Sequence, residues 1–157
     1  LESASLNLVK KELNHVSQVE LIEICLRLSL YKRENKELLS YLLFDAHHEE
    51  AYILKVKQTV DEQFALISGT NLYHVKKSLR KILKLVTKFT KFSGNKQTEV
   101  ELLIHFIAQI KANHYHNTSN VLLSNLYQQQ LIKVNKAIEK LHEDLQYDYK
   151  NELEKLN

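Results

Sequence analysis

The sequence predicts an all-α fold of six or seven helices in antiparallel hairpins, forming either a closed bundle or a short helical-repeat stack of the HEAT type. Three observations lead there. The 157 residues include no Pro and only two Gly, Gly69 and Gly94, too few breakers for the tight turns of a β-sandwich or barrel. Leu, Lys, Glu and Gln, all good helix formers, recur throughout. Apolar residues return with the 3.6-residue period of an α-helix along nearly the whole chain.

The elements follow in order. Leu6, Val9, Leu13 and Val16 mark a short first helix. Ser17-Gln18-Val19-Glu20 has the form of a capping box, in which the two polar side chains satisfy free amides at a helix start. The helix after it carries Leu21, Ile24, Cys25 and Leu28 on one side and Ile22, Leu26 and Leu30 on another, the pattern of an element covered by neighbours on both sides. Lys32-Arg33-Glu34-Asn35 reads as a short break, and Leu38, Leu39, Leu42, Leu43 and Phe44 as a third apolar segment. Asp45 is the expected N-cap of a long helix to about Ile67, with Glu49 and Glu50 in its first turns.

Ser68-Gly69 is expected to stop that helix, because Gly accepts the left-handed conformation past a C-terminus. Asn71 then caps a helix running to Phe92, stopped in turn at Ser93-Gly94. Thr98-Glu99-Val100-Glu101 reads as a second capping box, opening a helix with Leu102, Leu103, Phe106, Ile107 and Ile110. This helix fades at Asn113-His114-Tyr115-His116-Asn117. One long last helix is expected over Val121, Leu126, Leu131, Val134, Ile138, Leu141 and Leu145. Short links between long helices favour antiparallel neighbours. A weak echo of Leu6 to Leu13 in Leu72 to Leu79 motivates the repeat alternative.

The length fits one helical domain, 1–157, with residues from about 150 frayed. Hydrophobic residues make up 44% of the chain, enough for a core and against wholesale disorder. A single cysteine, Cys25, excludes an intrachain disulfide or a cysteine-based zinc cluster and suits a reducing compartment. No apolar run approaches the roughly 20 residues of a membrane span, and the first residues lack a signal-peptide pattern. The expected location is the cytoplasm.

Charge is distributed unevenly. From Gln63 to Thr98 there are eight basic residues and no acidic ones, leaving 14 basic and 19 acidic residues elsewhere, a net of +8 against −5. Lys77, Arg80, Lys81, Lys84, Lys88 and Lys91 share an arc of roughly 100° on one helix, with Val75, Leu79, Ile82, Val86 and Phe89 opposite. Such an edge is expected to engage an anionic partner, an acidic protein or a nucleic-acid backbone contacted without sequence specificity. Tyr73, His74 and Phe92 flank the edge without interleaving as base-stacking platforms. The competing expectation is neutralisation by the molecule's own carboxylates, Glu139, Glu143, Asp144, Asp148, Glu152 and Glu154.

Eight histidines raise the question of metal. Glu12 with His15 and Glu139 with His142 have the Glu-x-x-His spacing of di-metal carboxylate bundles, but Glu12 and His15 turn away from their helix's apolar stripe. These four residues define the alternative reading, a metal-binding bundle or an enzyme with its site between helices. His47-His48-Glu49-Glu50 reads as an acid-rich helix start, His114 and His116 as a nonspecific His-x-His pair, and His105 as a core-boundary residue. Cys25, among Leu21, Ile24 and Leu28, reads as an inert packed thiol. Two isolated glycines make no phosphate loop. No catalytic motif and no cofactor signature emerge, so a non-catalytic interaction or scaffold protein is expected.

Overall fold

A computed structural model describes residues 2–68, 71–116 and 121–156. Among them are eight α-helices and one π-helical turn, with no strand. The helices are α1 (Leu6–Leu13), α2 (Gln18–Tyr31), α3 (Arg33–Ser40), α4 (Glu49–Ala65), α5 (Leu72–Ser93), α6 (Lys96–Ala112), α7 (Val121–Ile138) and α8 (Glu143–Lys155), and the π turn is Tyr41–Asp45. The all-α class therefore holds. None of the helices is long and apolar enough to cross a membrane. The chain forms two compact units, Leu1–Phe44 and Asp45–Asn157.

In the first unit, α2 opens on the expected capping box. The Ser17 hydroxyl accepts from the Glu20 amide and the Glu20 carboxylate accepts from the Ser17 amide at 3.0 Å. The Ser17 hydroxyl also donates to the Glu20 carboxylate at 2.7 Å, and this bond first, then that from the Ser17 backbone amide, holds the Glu20 carboxyl below its ordinary range. The break before α3 is a single extended residue, Lys32, rather than a four-residue segment. The Asn35 side-chain amide donates to the Leu28 carbonyl at 2.8 Å and ties α3 to the end of α2. Apolar burial is sparse: among the described residues of this unit only Tyr41 is buried. The expectation that both sides of α2 are covered is not met, since Ile22, Leu26 and Leu28 are each more than half exposed.

The second unit has a dense core. Helix α6 is buried nearly all round, with Val100, Leu102, Leu103, Ile104, Phe106, Ile107 and Ile110 each at most 3% exposed, as a helix apolar on every side must be. It packs against α4, α5 and α7, and α8 packs on α7. Polar contacts fix the directions. The start of α4 meets the end of α5, where the Tyr52 hydroxyl donates to the Phe89 carbonyl at 2.9 Å. Lys57 pairs with Glu101 at 3.0 Å and Asp61 meets His105 at 2.6 Å, so α4 and α6 run parallel. Lys133, late in α7, reaches Glu99, early in α6, so these two are antiparallel.

Three sequence expectations change here. Helix α4 begins at Glu49 behind His48, while Asp45 pairs with Lys55 at 2.6 Å. Helix α6 is capped by Asn95, whose side chain accepts from the Gln97 amide at 2.8 Å. Thr98 is fully buried inside the helix, and its hydroxyl joins that of Ser93 in donating to the Glu49 carboxylate. The expected last helix is two, α7 and α8, because the Gln146 side chain donates to the carbonyls of Glu139 and Leu141 and closes the end of α7 without any glycine or proline. Helix α8 runs from Glu143 to Lys155, with Tyr149 and Leu153 buried. The expected stop at Gly69 lies outside the described residues.

Candidate anion-binding face

Helix α5 is built from both ends by local signals. The Asn71 side chain accepts from the Tyr73 amide at 3.0 Å. Gly94 closes the helix in the left-handed conformation, φ 66°, with its amide donating to the Thr90 carbonyl at 2.9 Å. Between these caps Val75, Leu79, Ile82 and Val86 are at most 2% exposed. Burying this stripe fixes the rotation of α5 about its axis, and the rotation turns the cations outward.

Lys77, Arg80, Lys81, Lys84 and Lys91 are exposed, and among the described residues none of the five takes part in an ion pair. Three i,i+4 pairs of like charge, Lys77 with Lys81, Arg80 with Lys84 and Lys84 with Lys88, each cost a few tenths of a kcal/mol, about 1 kcal/mol together. The buried stripe opposite bears that cost. Lys88 differs from the others. It is half-buried, with its ammonium 4.7 Å from the Phe89 ring centre and 5.9 Å from that of Phe92, where the ring faces attract a cation. The two rings meet edge to face at 5.8 Å, and Phe89 meets Tyr52 in the same way at 6.3 Å. At the other end of the edge Tyr73, 71% exposed, lies edge-on to His74. Phe92 thus supports the edge rather than only flanking it, a relation signalled in the sequence by its i,i+4 spacing from Lys88.

The acidic C-terminal segment does not pair with these cations among the described residues. Helix α8 packs on α7 and, through Tyr149, on the start of α6. The Tyr149 hydroxyl donates to Glu101 at 3.0 Å and accepts from the Gln97 side-chain amide at 2.9 Å. Burial, the largest cause, together with the Glu101 and Glu152 charges, pushes the Tyr149 phenol up to about 12, against a lowering by the bond from Gln97. Asp144 meets His142 at 3.5 Å.

The residues of the metal alternative are all solvent-exposed. Glu12 and His15 end the α1 region, Glu139 follows α7 and His142 precedes α8. Among the described residues no three His, Cys, Asp or Glu side chains converge on a point that holds a metal ion. His105 ties α6 to Asp61 of α4, and the His116 ring rests 5.7 Å from that of Tyr127. Cys25 is half-buried in α2, with its carbonyl accepting from Ser29. Comparison of the chain with protein-family models, curated proteins and solved structures finds no match.

Proposed function

We propose that the protein is a non-catalytic helical interaction module whose α5 edge, Lys77 to Lys91, engages an anionic partner. The observation that carries this reading is the set of five exposed cations, Lys77, Arg80, Lys81, Lys84 and Lys91, that take part in no ion pair among the described residues, on a helix whose rotation is fixed by its buried side. Six charges over 14 residues rise about 21 Å, one per roughly 4 Å. That is close to the roughly 3.4 Å axial spacing of phosphates along one strand of duplex DNA. An extended polyanion therefore meets several cations at once, releasing counterions from each contact. Phosphate contacts carry no sequence information, so binding is expected to depend on charge density and not on sequence.

The supporting scaffold reads best as a closed bundle. Helix α4 touches α5 and α6 together, and Glu49 gathers hydroxyls from the end of α5 and the start of α6. A repeat stack needs no such closure.

Heparin chromatography at low salt tests the proposal. The native chain is expected to be retained. A variant carrying Lys77→Gln, Arg80→Gln, Lys81→Gln and Lys84→Gln is expected to elute near the void, with its helix content unchanged. Equal retention of the two proteins removes the proposal. Competition by duplex DNA against polyglutamate then separates a nucleic-acid backbone from an acidic protein.

A further inference from the structure

A second surface lies in the first unit. Along α2, Val19, Ile22, Leu26 and Leu30 follow one another at spacings of three, four and four residues and form a single stripe. They are 68%, 52%, 56% and 86% exposed. A stripe of that spacing is the seam by which one helix packs against another. Away from the stripe Cys25 is half-buried, and α3 packs on α2. A unit of 44 residues in which only Tyr41 is buried among the described residues has little core of its own, and chains of about this size usually need a further stabilising contact.

The charges say what that contact is. Residues 1–44 hold six acidic and six basic side chains and are neutral, so a strongly acidic or basic partner has no electrostatic advantage. Glu23 and Arg27 border the stripe on the same flank, one turn apart, and no ion pair joins them or occupies either among the described residues. When two α2 helices cross antiparallel about a two-fold axis near residues 24 and 25, this flank faces its own copy. Val19 then falls beside Leu30 of the second copy, Ile22 beside Leu26, and Glu23 beside Arg27, each contact occurring twice by symmetry. A parallel pair instead sets the charged flank against the uncharged one with Gln18 and Ser29. We infer that the α2 stripe is an isologous, antiparallel dimer interface whose occupant is a second copy of this chain.

Sedimentation equilibrium of the full chain at ten to a hundred micromolar tests the inference (concentrations on the order of typical moderate self-affinities). A dimer is expected, and a monomer throughout that range overturns it. Leu26→Glu is expected to weaken dimerisation about a hundredfold or more, because two apolar contacts are lost and two carboxylates are buried. Should that change also reduce helix content, charge reversal gives an independent answer. Glu23→Arg alone and Arg27→Glu alone are each expected to weaken self-association about tenfold, through like charges on the facing flank. Mixing the two variants restores opposite charges at both crossings and is expected to yield a heterodimer at least as tight as the native homodimer. A dimer indifferent to either reversal, or a mixture that stays monomeric, overturns the interface.

Discussion

Replacing Thr98 by Val removes one hydroxyl from a site where three helices meet. The side chain is fully buried at the start of α6, and its hydroxyl donates to the Glu49 carboxylate at the start of α4, beside the Ser93 hydroxyl from the end of α5. A hydrogen bond to a charged group contributes about 1.5–3 kcal/mol. The methyl group that replaces the hydroxyl returns something under about 1 kcal/mol as apolar burial. A net loss of about 1–2 kcal/mol follows, and Ser93 limits it by keeping one donor on the carboxylate. For a unit of this size that corresponds to a fall in Tm of about 4–8 °C. Urea unfolding followed by circular dichroism is the assay, and the midpoint is expected to fall with the slope unchanged. Combining Thr98→Val with Glu49→Gln is expected to cost about 1 kcal/mol less than the sum of the separate changes. An unchanged midpoint, or strict additivity, refutes the idea that this carboxylate clamps α4 to α5 and α6.

Other perturbations follow from the same geometry. Gly94→Ala places a Cβ where nothing lies within 4 Å, at φ 66°. Its cost is therefore conformational alone, about 1 kcal/mol after allowance for the stiffer unfolded chain, and urea titration checks it. Tyr149→Phe is expected to change the alkaline limb of stability. The raised phenol pKa, about 12 against an ordinary 10.0, means that the native chain keeps this contribution below pH 10 and loses it as pH rises towards 12. The Phe variant is expected to lack that slope, worth of order 2 kcal/mol, in unfolding curves from pH 9 to 12. Ser17→Ala removes the hydroxyl half of the α2 capping box, leaving the bond from the backbone amide of residue 17 to Glu20, and is expected to speed amide exchange through the first turn of α2 by about fivefold (about 1 kcal/mol).

What the sequence discloses divides by the range of the interaction. The Ser17 and Glu20 box, the Asn71 cap and the Gly94 stop each lie within a few residues of the group they satisfy, so local pattern reveals them. The same pattern misleads at Thr98, where two local candidates compete. Asn95 takes the cap, and Thr98 is recruited by Glu49, 49 residues away. The split between α7 and α8 has no local breaker, since it depends on Gln146 reaching back to Leu141 and Glu139. Periodicity alone places the six cations of α5 on one edge. That they escape the acids of α8 depends on Tyr149 anchoring that helix beside α6, a contact across 48 residues between Tyr149 and Glu101. The apolar pattern of α2 likewise locates a sticky stripe but does not give the exposure of its residues.

The salt dependence of duplex DNA binding tests the central claim most directly. With five exposed and unpaired cations on α5, log K against log salt concentration is expected to fall with a slope of about −4 to −5. In the variant lacking Lys77, Arg80, Lys81 and Lys84 it is expected to flatten to about −1. A slope the same in both proteins, or no measurable binding by the native chain at about 50 mM salt, contradicts the assignment of the α5 edge.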